Sequence, residues 1–306
     1  MLKYIALYFL FVLLLFQSCR EKELGIKLPY AGTQLFIYSE LNPDRTVSLY
    51  LNQTYPPTGK FTVVKGLAGA EVDFFENGLF KERLTYADSG MYVSKIGLKP
   101  KVGSLYFFEV KLKGYPAVNT NPVEIPQSVV NPKVILGKDT IPSINTGKVA
   151  RKLDVEWIDN EEKENNYVVI IEGKYQNHDL GTSSFNIGKD VEIEDGCGFK
   201  RNRNRYVYID KCFTLKRFST SFGIDTFGST QNSPTSNISN SLKDADAYRV
   251  SISNISESYF RYLHDELQPD DIFLAFQLPK SRFSNVNNGY GIVLASNTTT
   301  FYLSAK

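Results

Sequence analysis

The sequence predicts an all-β protein, on three observations: short alternating runs of Val, Ile, Tyr and Phe, closely spaced turn signals, and 19 Tyr and 21 Phe against only two Met. Aromatic and β-branched side chains suit a pleated, half-buried surface, and frequent punctuation by Gly, Pro, Asn and Asp is what a sandwich of short strands needs. With 306 residues, 42% hydrophobic and 22% charged, the chain has material for a sizeable core and a length prior of about two domains. Lys and Arg total 35 against 33 Asp and Glu, for a net charge of +2. No basic excess points to nucleic acid, so no nucleic-acid partner is expected.

The first element is a leader. Lys3, an apolar run over residues 5–16, then Gln17, Ser18 and Cys19 read as the charged, hydrophobic and cleavage regions of a secretory signal over residues 1–18. The run stops before the charged stretch 20–23, short of the roughly 20 apolar residues of a membrane span. Leu15-Phe-Gln-Ser-Cys19 resembles the lipobox of bacterial lipoproteins, which implies acylation of Cys19 and a stable lipid anchor in the membrane; the alternative is a cleaved secretory peptide with an incidental cysteine. Loss of residues 1–18 removes Lys3 and no acid, leaving 34 basic against 33 acidic side chains. Arg20-Glu-Lys-Glu23 resembles the surface-export signals of Bacteroidota lipoproteins.

Residues 19–32, with Gly25, Pro29 and Gly32, read as a tether. Strands follow at 34–38, 46–51, 71–75, 79–85, 91–94 and 105–110, separated by Asn42-Pro43-Asp44, Pro56-Pro57, Asn77-Gly78, Ser89-Gly90 and the 100–103 segment. Asn77-Gly78 between two such runs is the strongest short-range hairpin signal. Gly69-Ala-Glu-Val72, Gly90-Met-Tyr92 and Gly103-Ser-Leu-Tyr106 resemble the transthyretin-type, carboxypeptidase-regulatory β-sandwich, which implies an immunoglobulin-like first domain over 33–126 with tyrosines closing its corners. Pro122 and Pro126 end it, and 127–147 reads as linker and first strand of a C-terminal β-rich domain, 127–306.

In that second domain 153–157 alternates, 159–166 is a charged turn, and Tyr167-Val-Val-Ile-Ile171 is an apolar strand. Trp157 followed by Tyr167 on successive strands resembles the start of a fibronectin-type sandwich, with Trp157 a core residue. Further strands are expected at 206–210, 212–218, 247–253, 271–278 and 289–303. One helix is expected, capped by Asn254 with Glu257 and carrying Tyr259, Leu263 and Leu267 on one face before Pro269. The Ser-, Thr-, Asn- and Gly-rich stretch 219–245 reads as a long loop, either functional or disordered. Asp225 and Phe227 within it are candidate binding residues.

With Cys19 assigned to lipid, Cys197 and Cys212 form an even pair, a disulfide candidate in an oxidising compartment, against the alternative of two free buried thiols. Between them, Arg201, Arg203 and Arg205 are candidates for gripping an anionic ligand or lipopolysaccharide, or else a solvated hairpin tip. No nucleophile elbow, zinc helix or phosphate-cradling loop occurs; no cofactor or metal is expected, and the protein is expected not to be an enzyme. His264 reads as a solvated helix residue rather than a base, and Asp244, Asp246, Asp270 and Asp271 as solvated loops rather than a Ca²⁺ site. Asp139-Thr140-Ile141 resembles an O-glycosylation acceptor of exported Bacteroidota proteins.

The whole mature chain resembles the Bacteroidota lipoproteins of domain-of-unknown-function family 4249. The resemblance rests on the Cys19 lipobox, Leu35-Phe-Ile-Tyr-Ser-Glu40, Gly69-Ala-x-Val72, Gly90-x-Tyr92, Tyr248-x-Val250, Tyr259-Phe-x-Tyr262-Leu263 and Asn285-Val-x-Asn-Gly289-x-Gly291. It implies an outer-membrane lipoprotein encoded beside TonB-dependent transporters, with no catalytic residues to carry over. The functional expectation is a lipid-anchored, non-catalytic accessory partner of such a transporter in nutrient uptake, taking a glycan or peptide ligand. The alternative is a structural or adhesive protein of the cell envelope.

Overall fold

The computed structural model describes residues 30, 32–56, 65–142, 149–159, 163–175, 178–186, 198–202, 204–210, 217–227, 247–265 and 283–304. The described strands lie in one compact unit, Thr33–Thr54 with Thr62–Lys306. In chain order they are β1 (Leu35–Leu41), β2 (Ser48–Gln53), β3 (Glu71–Glu76), β4 (Leu79–Tyr86), β5 (Met91–Val93), β6 (Leu105–Lys111), β7 (Val118–Thr120), β8 (Val123–Glu124), β9 (Val130–Pro142), β10 (Val149–Ile158), β11 (Asn166–Tyr175), β12 (His178–Asn186), β13 (Gly198–Asn202), β14 (Arg205–Ile209), β15 (Arg217–Phe227), β16 (Ala247–Ile255), β17 (Val286–Asn287) and β18 (Tyr290–Ser304). Among the described residues one helix, α1 (Glu257–Asp265), follows β16. The fold is all-β.

Strands β1, β2, β5 and β4 pair in turn as one sheet. A second sheet runs from β4 through β3 to β6, which carries β7 and β8. Alternation decides what faces inward: Leu35 and Ile37 of β1 and Leu49 and Leu51 of β2 meet Val72, Phe74, Tyr106, Phe108 and Val110 of the opposite sheet, all buried. Phe74 and Tyr106 stack with centroids 5.2 Å apart. The expected Asn77-Gly78 hairpin is present: Glu76 pairs with Leu79, and φ is +50° at Asn77 and +81° at Gly78, the left-handed pair that a two-residue turn demands. Tyrosines do close the corners. Tyr92 Oη donates to Leu67 O and accepts from Ala70 N, both at 3.0 Å; Tyr106 Oη donates to Glu76 Oε1 at 2.6 Å.

The second core lies between β9, β10, β15 and β12 on one side and β13, β14, β11, β16 and β18 on the other. Trp157 is buried at its centre, stacked on Phe218 at 4.8 Å and edge-on to Tyr167 at 5.6 Å, so it is the core residue its alternation with Leu153 and Val155 predicts. Helix α1 covers the outer face of this sheet, where Leu263 and Ile255 pack with Val168 and Val207.

Strand β18 belongs to both cores. Residues 290–295 pair in parallel with β1, placing Val293 and Ala295 in the first core, and residues 296–304 pair antiparallel with β16, with Phe301 and Leu303 packed on the second. A buried Asn285 clamps the seam: its Nδ2 donates to Val293 O and its Oδ1 accepts from Val293 N, each at 2.8 Å.

Two sequence expectations are corrected. The stretch 219–245 is not loop from its start, because Ser219 to Phe227 belong to β15, paired with both β10 and β12. Polar composition masked the inward residues Phe222 and Ile224, which are buried. The remainder, 228–245, lies outside the described residues, as does the strand expected at 271–278. The helix cap is Ser256, not Asn254. Tyr259 N donates to Ser256 Oγ at 3.3 Å, while Asn254 is still in β16.

Candidate functional site

Helix α1 is fixed by its first turn. The Ser256 Oγ that caps it also accepts from Ala295 N at 3.1 Å, and Ser258 Oγ donates to Val293 O at 3.1 Å. These bonds place the helix N-terminus against β18, where the strand passes from one core to the other.

Beside it opens a cleft of about 860 Å³. One wall comes from the first sandwich, with Leu105, Val123, Glu124 and Pro126. The other carries Lys163, Asn165, Asn166 and Asn254, and the rim includes Glu257, Arg261 and Phe283. Arg261 lies over the Phe283 ring, 4.1 Å from its centroid.

The floor is a network of amides. Asn165 Nδ2 donates to Asp159 Oδ1 at 3.1 Å and to Lys163 O at 2.7 Å. That turns its Oδ1 toward Asn254, whose Nδ2 donates to it at 2.9 Å. Asn166 Nδ2 donates to Glu257 Oε2 at 3.3 Å. The orientation leaves Asn254 Oδ1 a buried acceptor with no hydrogen-bond partner among the described residues, a cost of about 1–3 kcal/mol that an N–H or O–H donor would relieve. Lys163 Nζ reaches Glu124 Oε1 at 2.6 Å, joining the two walls. Their side chains are 66% and 39% exposed, so the pair contributes only about 0–1 kcal/mol and can exchange with charges on a ligand. Such a lining, amide-rich with a short apolar wall and charges of both signs, suits a polar ligand held by several directed hydrogen bonds.

Of the residues singled out in the sequence, Arg205 lies away from the cleft lining. It opens β14 opposite Ile170, on the sheet face that α1 covers. There its charge acts on Tyr38 of β1 and Tyr259 of the helix, as does that of Glu40, with Tyr262 beside them. Burial, reinforced by Glu40, pushes the Tyr38 hydroxyl up to about 12, and the Tyr259 hydroxyl is raised for the same reasons.

Arg201 lies in β13, and Asp225 and Phe227 sit in β15 opposite Ser183 and Gly181. Cys19, Cys197, Arg203 and Cys212 lie outside the described residues, as do Asp244, Asp246, Asp270 and Asp271. His264 is exposed on the helix, and residues 139–141 fall within β9. Among the described residues, no group of three or more His, Cys, Asp or Glu converges, and no helix is long and apolar enough to cross a membrane. The amide floor had one trace in the sequence, the charged turn 159–166, but its partner Asn254 is distant in the chain.

Among the described residues, several of the segments that carry the family resemblance help to close this architecture. Leu35–Leu41 pairs with the strand after Gly289, Tyr92 ties a corner, Asn285 clamps β18, and Tyr259 and Leu263 seat the helix. No curated protein matches the chain. Among solved structures, a protein of Corynebacterium diphtheriae described as membrane anchored is similar at 12% identity with a TM-score of 0.20, over 76% of this chain and 56% of that one. The chain thus spans little more than half the length of that protein. The family described as a domain of unknown function, DUF4249, matches residues 21–301, and since that match runs through both cores and reaches into β18, the chain belongs to the DUF4249 family.

Proposed function

We propose that the protein is a lipid-anchored, non-catalytic binding protein of the outer membrane, which takes a polar ligand in the cleft beside α1 and works as accessory partner of a TonB-dependent transporter. The observation that carries the reading is where the cleft lies. The chain enters β1 at Leu35, level with Val118 and Gly289, whereas the cleft is lined by Leu105 and Glu124 at the opposite end of that sandwich. Seven residues of strand separate the two ends, about 20 Å. The cleft therefore lies about one strand length from the point where the chain enters the first sandwich, clear of that end. The amide floor and the exchangeable Lys163–Glu124 pair support binding of a hydrogen-bonding ligand there.

The test combines two variants in cells. Cys19→Ala is expected to abolish palmitate labelling and release the protein from the membrane fraction. Gln127→Trp with Lys163→Glu, which fills the cleft and sets a second carboxylate against Glu124, is expected to leave anchoring and thermal stability near wild type. The same double variant should lose co-purification with the transporter and uptake of its substrate. Persistent labelling of Cys19→Ala overturns the anchor, and intact co-purification and uptake with the cleft filled overturn the binding reading.

A further inference from the structure

We infer that one end of the first sandwich, the Asn77-Gly78 turn with Leu79 to Lys81 and the segment 94–105, docks on an anionic lipid surface.

Exposed apolar side chains concentrate at this end. Among the described residues, seven Leu, Ile, Val or Phe side chains are exposed: Val130 and Ile135 on β9, and Leu79, Phe80, Ile96, Val102 and Leu105 here. Strand pairing brings the two segments together. β3 ends at Glu76, opposite Tyr106 near the start of β6. Beyond it, Asn77 N donates to Leu105 O at 2.8 Å and Leu105 N donates to Asn77 Oδ1 at 2.9 Å, so Leu79 and Leu105 flank one turn. The rest of the segment is tied down as well. Glu82 Oε1 on β4 accepts from Lys95 N at 2.7 Å and Ile96 N at 3.3 Å, and Lys101 N donates to Tyr106 Oη at 2.7 Å. Ile96, fixed by its backbone, is nevertheless 73% exposed.

The charge around these residues has one sign. Lys81, Lys95, Lys99 and Lys101 are exposed, and the last three have no ion pair among the described residues. The acids are turned inward: Glu76 is buried against Lys81 and Tyr106, Glu82 holds the loop amides, and 94–105 contains no Asp or Glu. The adjoining turn adds one exposed charge of each sign, Asp44 and Arg45. Apolar side chains ringed by lysines suit a lipid interface, where Leu, Ile and Phe enter the headgroup boundary while lysine stems lie along it and their ammonium groups meet phosphates. A protein partner fits less well, because lysine is depleted in protein interfaces. A second copy docked by the same end would set lysines against lysines. Leu105 also lines the cleft, so the variants below leave it in place and lipid contact is tested apart from ligand binding.

The test is co-sedimentation with vesicles of the chain from residue 20 onward, which omits the leader and Cys19 but keeps the compact unit holding every described strand. Binding is expected to vesicles of equimolar phosphatidylcholine and phosphatidylglycerol, weakening as salt is raised, and to be weaker on phosphatidylcholine alone. Lys95→Gln with Lys99→Gln should weaken it about tenfold or more, at about fivefold per lysine, and Ile96→Ser about fivefold or more. All three positions are exposed, so these variants should unfold near the wild-type temperature. Lys133→Gln with Ile135→Ser, at exposed positions of β9, should bind as wild type does. Absence of binding to the mixed vesicles, or a β9 variant that loses as much as Ile96→Ser, overturns the lipid contact. Without vesicle binding, self-association abolished by Ile96→Ser assigns this end to a second copy, and transporter co-purification abolished by it assigns the end to a protein partner; either result also overturns the inference.

Discussion

Replacing Gly291 by alanine tests the seam between β1 and β18. Gly291 pairs with Ile37 in parallel register and has φ of +117°. A Cβ there would sit 1.8 Å from Ile37 O and 2.7 Å from both Ile37 C and Ile37 N. The neighbours are backbone, so no side chain can swing away, and the strands must part by more than an ångström. The unfavourable φ costs about 1–2 kcal/mol, and weakening two or three ladder hydrogen bonds adds about 1 kcal/mol each. The expected loss is about 3–5 kcal/mol, read as a lower urea midpoint and a fall in Tm on the order of 10 °C. Gly114→Ala is the control, since Gly114 has φ of +91° but nothing within 4 Å of its Cβ position; it should lose only the conformational part, about 1–2 kcal/mol. If the two variants are destabilised equally, close approach of β18 to β1 is not what requires glycine at 291.

Trp157 is the single tryptophan of the chain and its Nε1 is buried without a hydrogen-bond partner among the described residues. Trp157→Ala should cost about 3–5 kcal/mol, while Trp157→Phe, which removes the unsatisfied donor and keeps a ring against Phe218, should cost at least about 2 kcal/mol less; equal losses by urea denaturation would contradict that account. The acid limb should depend on Asp73 and Glu76. Bidentate bonding from Arg83 holds Asp73 below its ordinary 3.8, and bonds from Lys81 and Tyr106 hold Glu76 below its ordinary 4.5. Groups with depressed folded pKa values stabilise fully above their unfolded pKa and lose that contribution as pH falls through the folded value. Asp73→Asn should therefore be less stable than wild type at pH 7, and the gap should close below about pH 3.8. A gap that stays constant from pH 7 to the acid limb would show that Asp73 acts through packing alone.

What could be read from the chain is what neighbouring residues decide together. Alternation of Leu153, Val155 and Trp157 faces them to the second core, Asn77-Gly78 turns a hairpin, and Tyr259 with Leu263 gives α1 its packed face. Where local composition and local period disagreed, composition misled: Ser219, Thr220, Ser221 and Gly223 hid the inward alternation of β15. The cap at Ser256 was missed for a related reason, since Asn254 is an equally good capping residue by type. Only the tertiary pairing shows it to be occupied in β16 and bonded to Asn165.

The all-β class, most strands of the first sandwich, the buried Trp157 and the family are legible in residue order alone. The parallel pairing of β1 with β18, the passage of β18 through both cores, and with them the cleft, follow only from how the strands meet in three dimensions. The cleft needs Glu124, Lys163 and Asn254 side by side. Local periodicity shows which face of a strand is apolar, but which strand it meets is decided by competition among all the apolar faces of the chain.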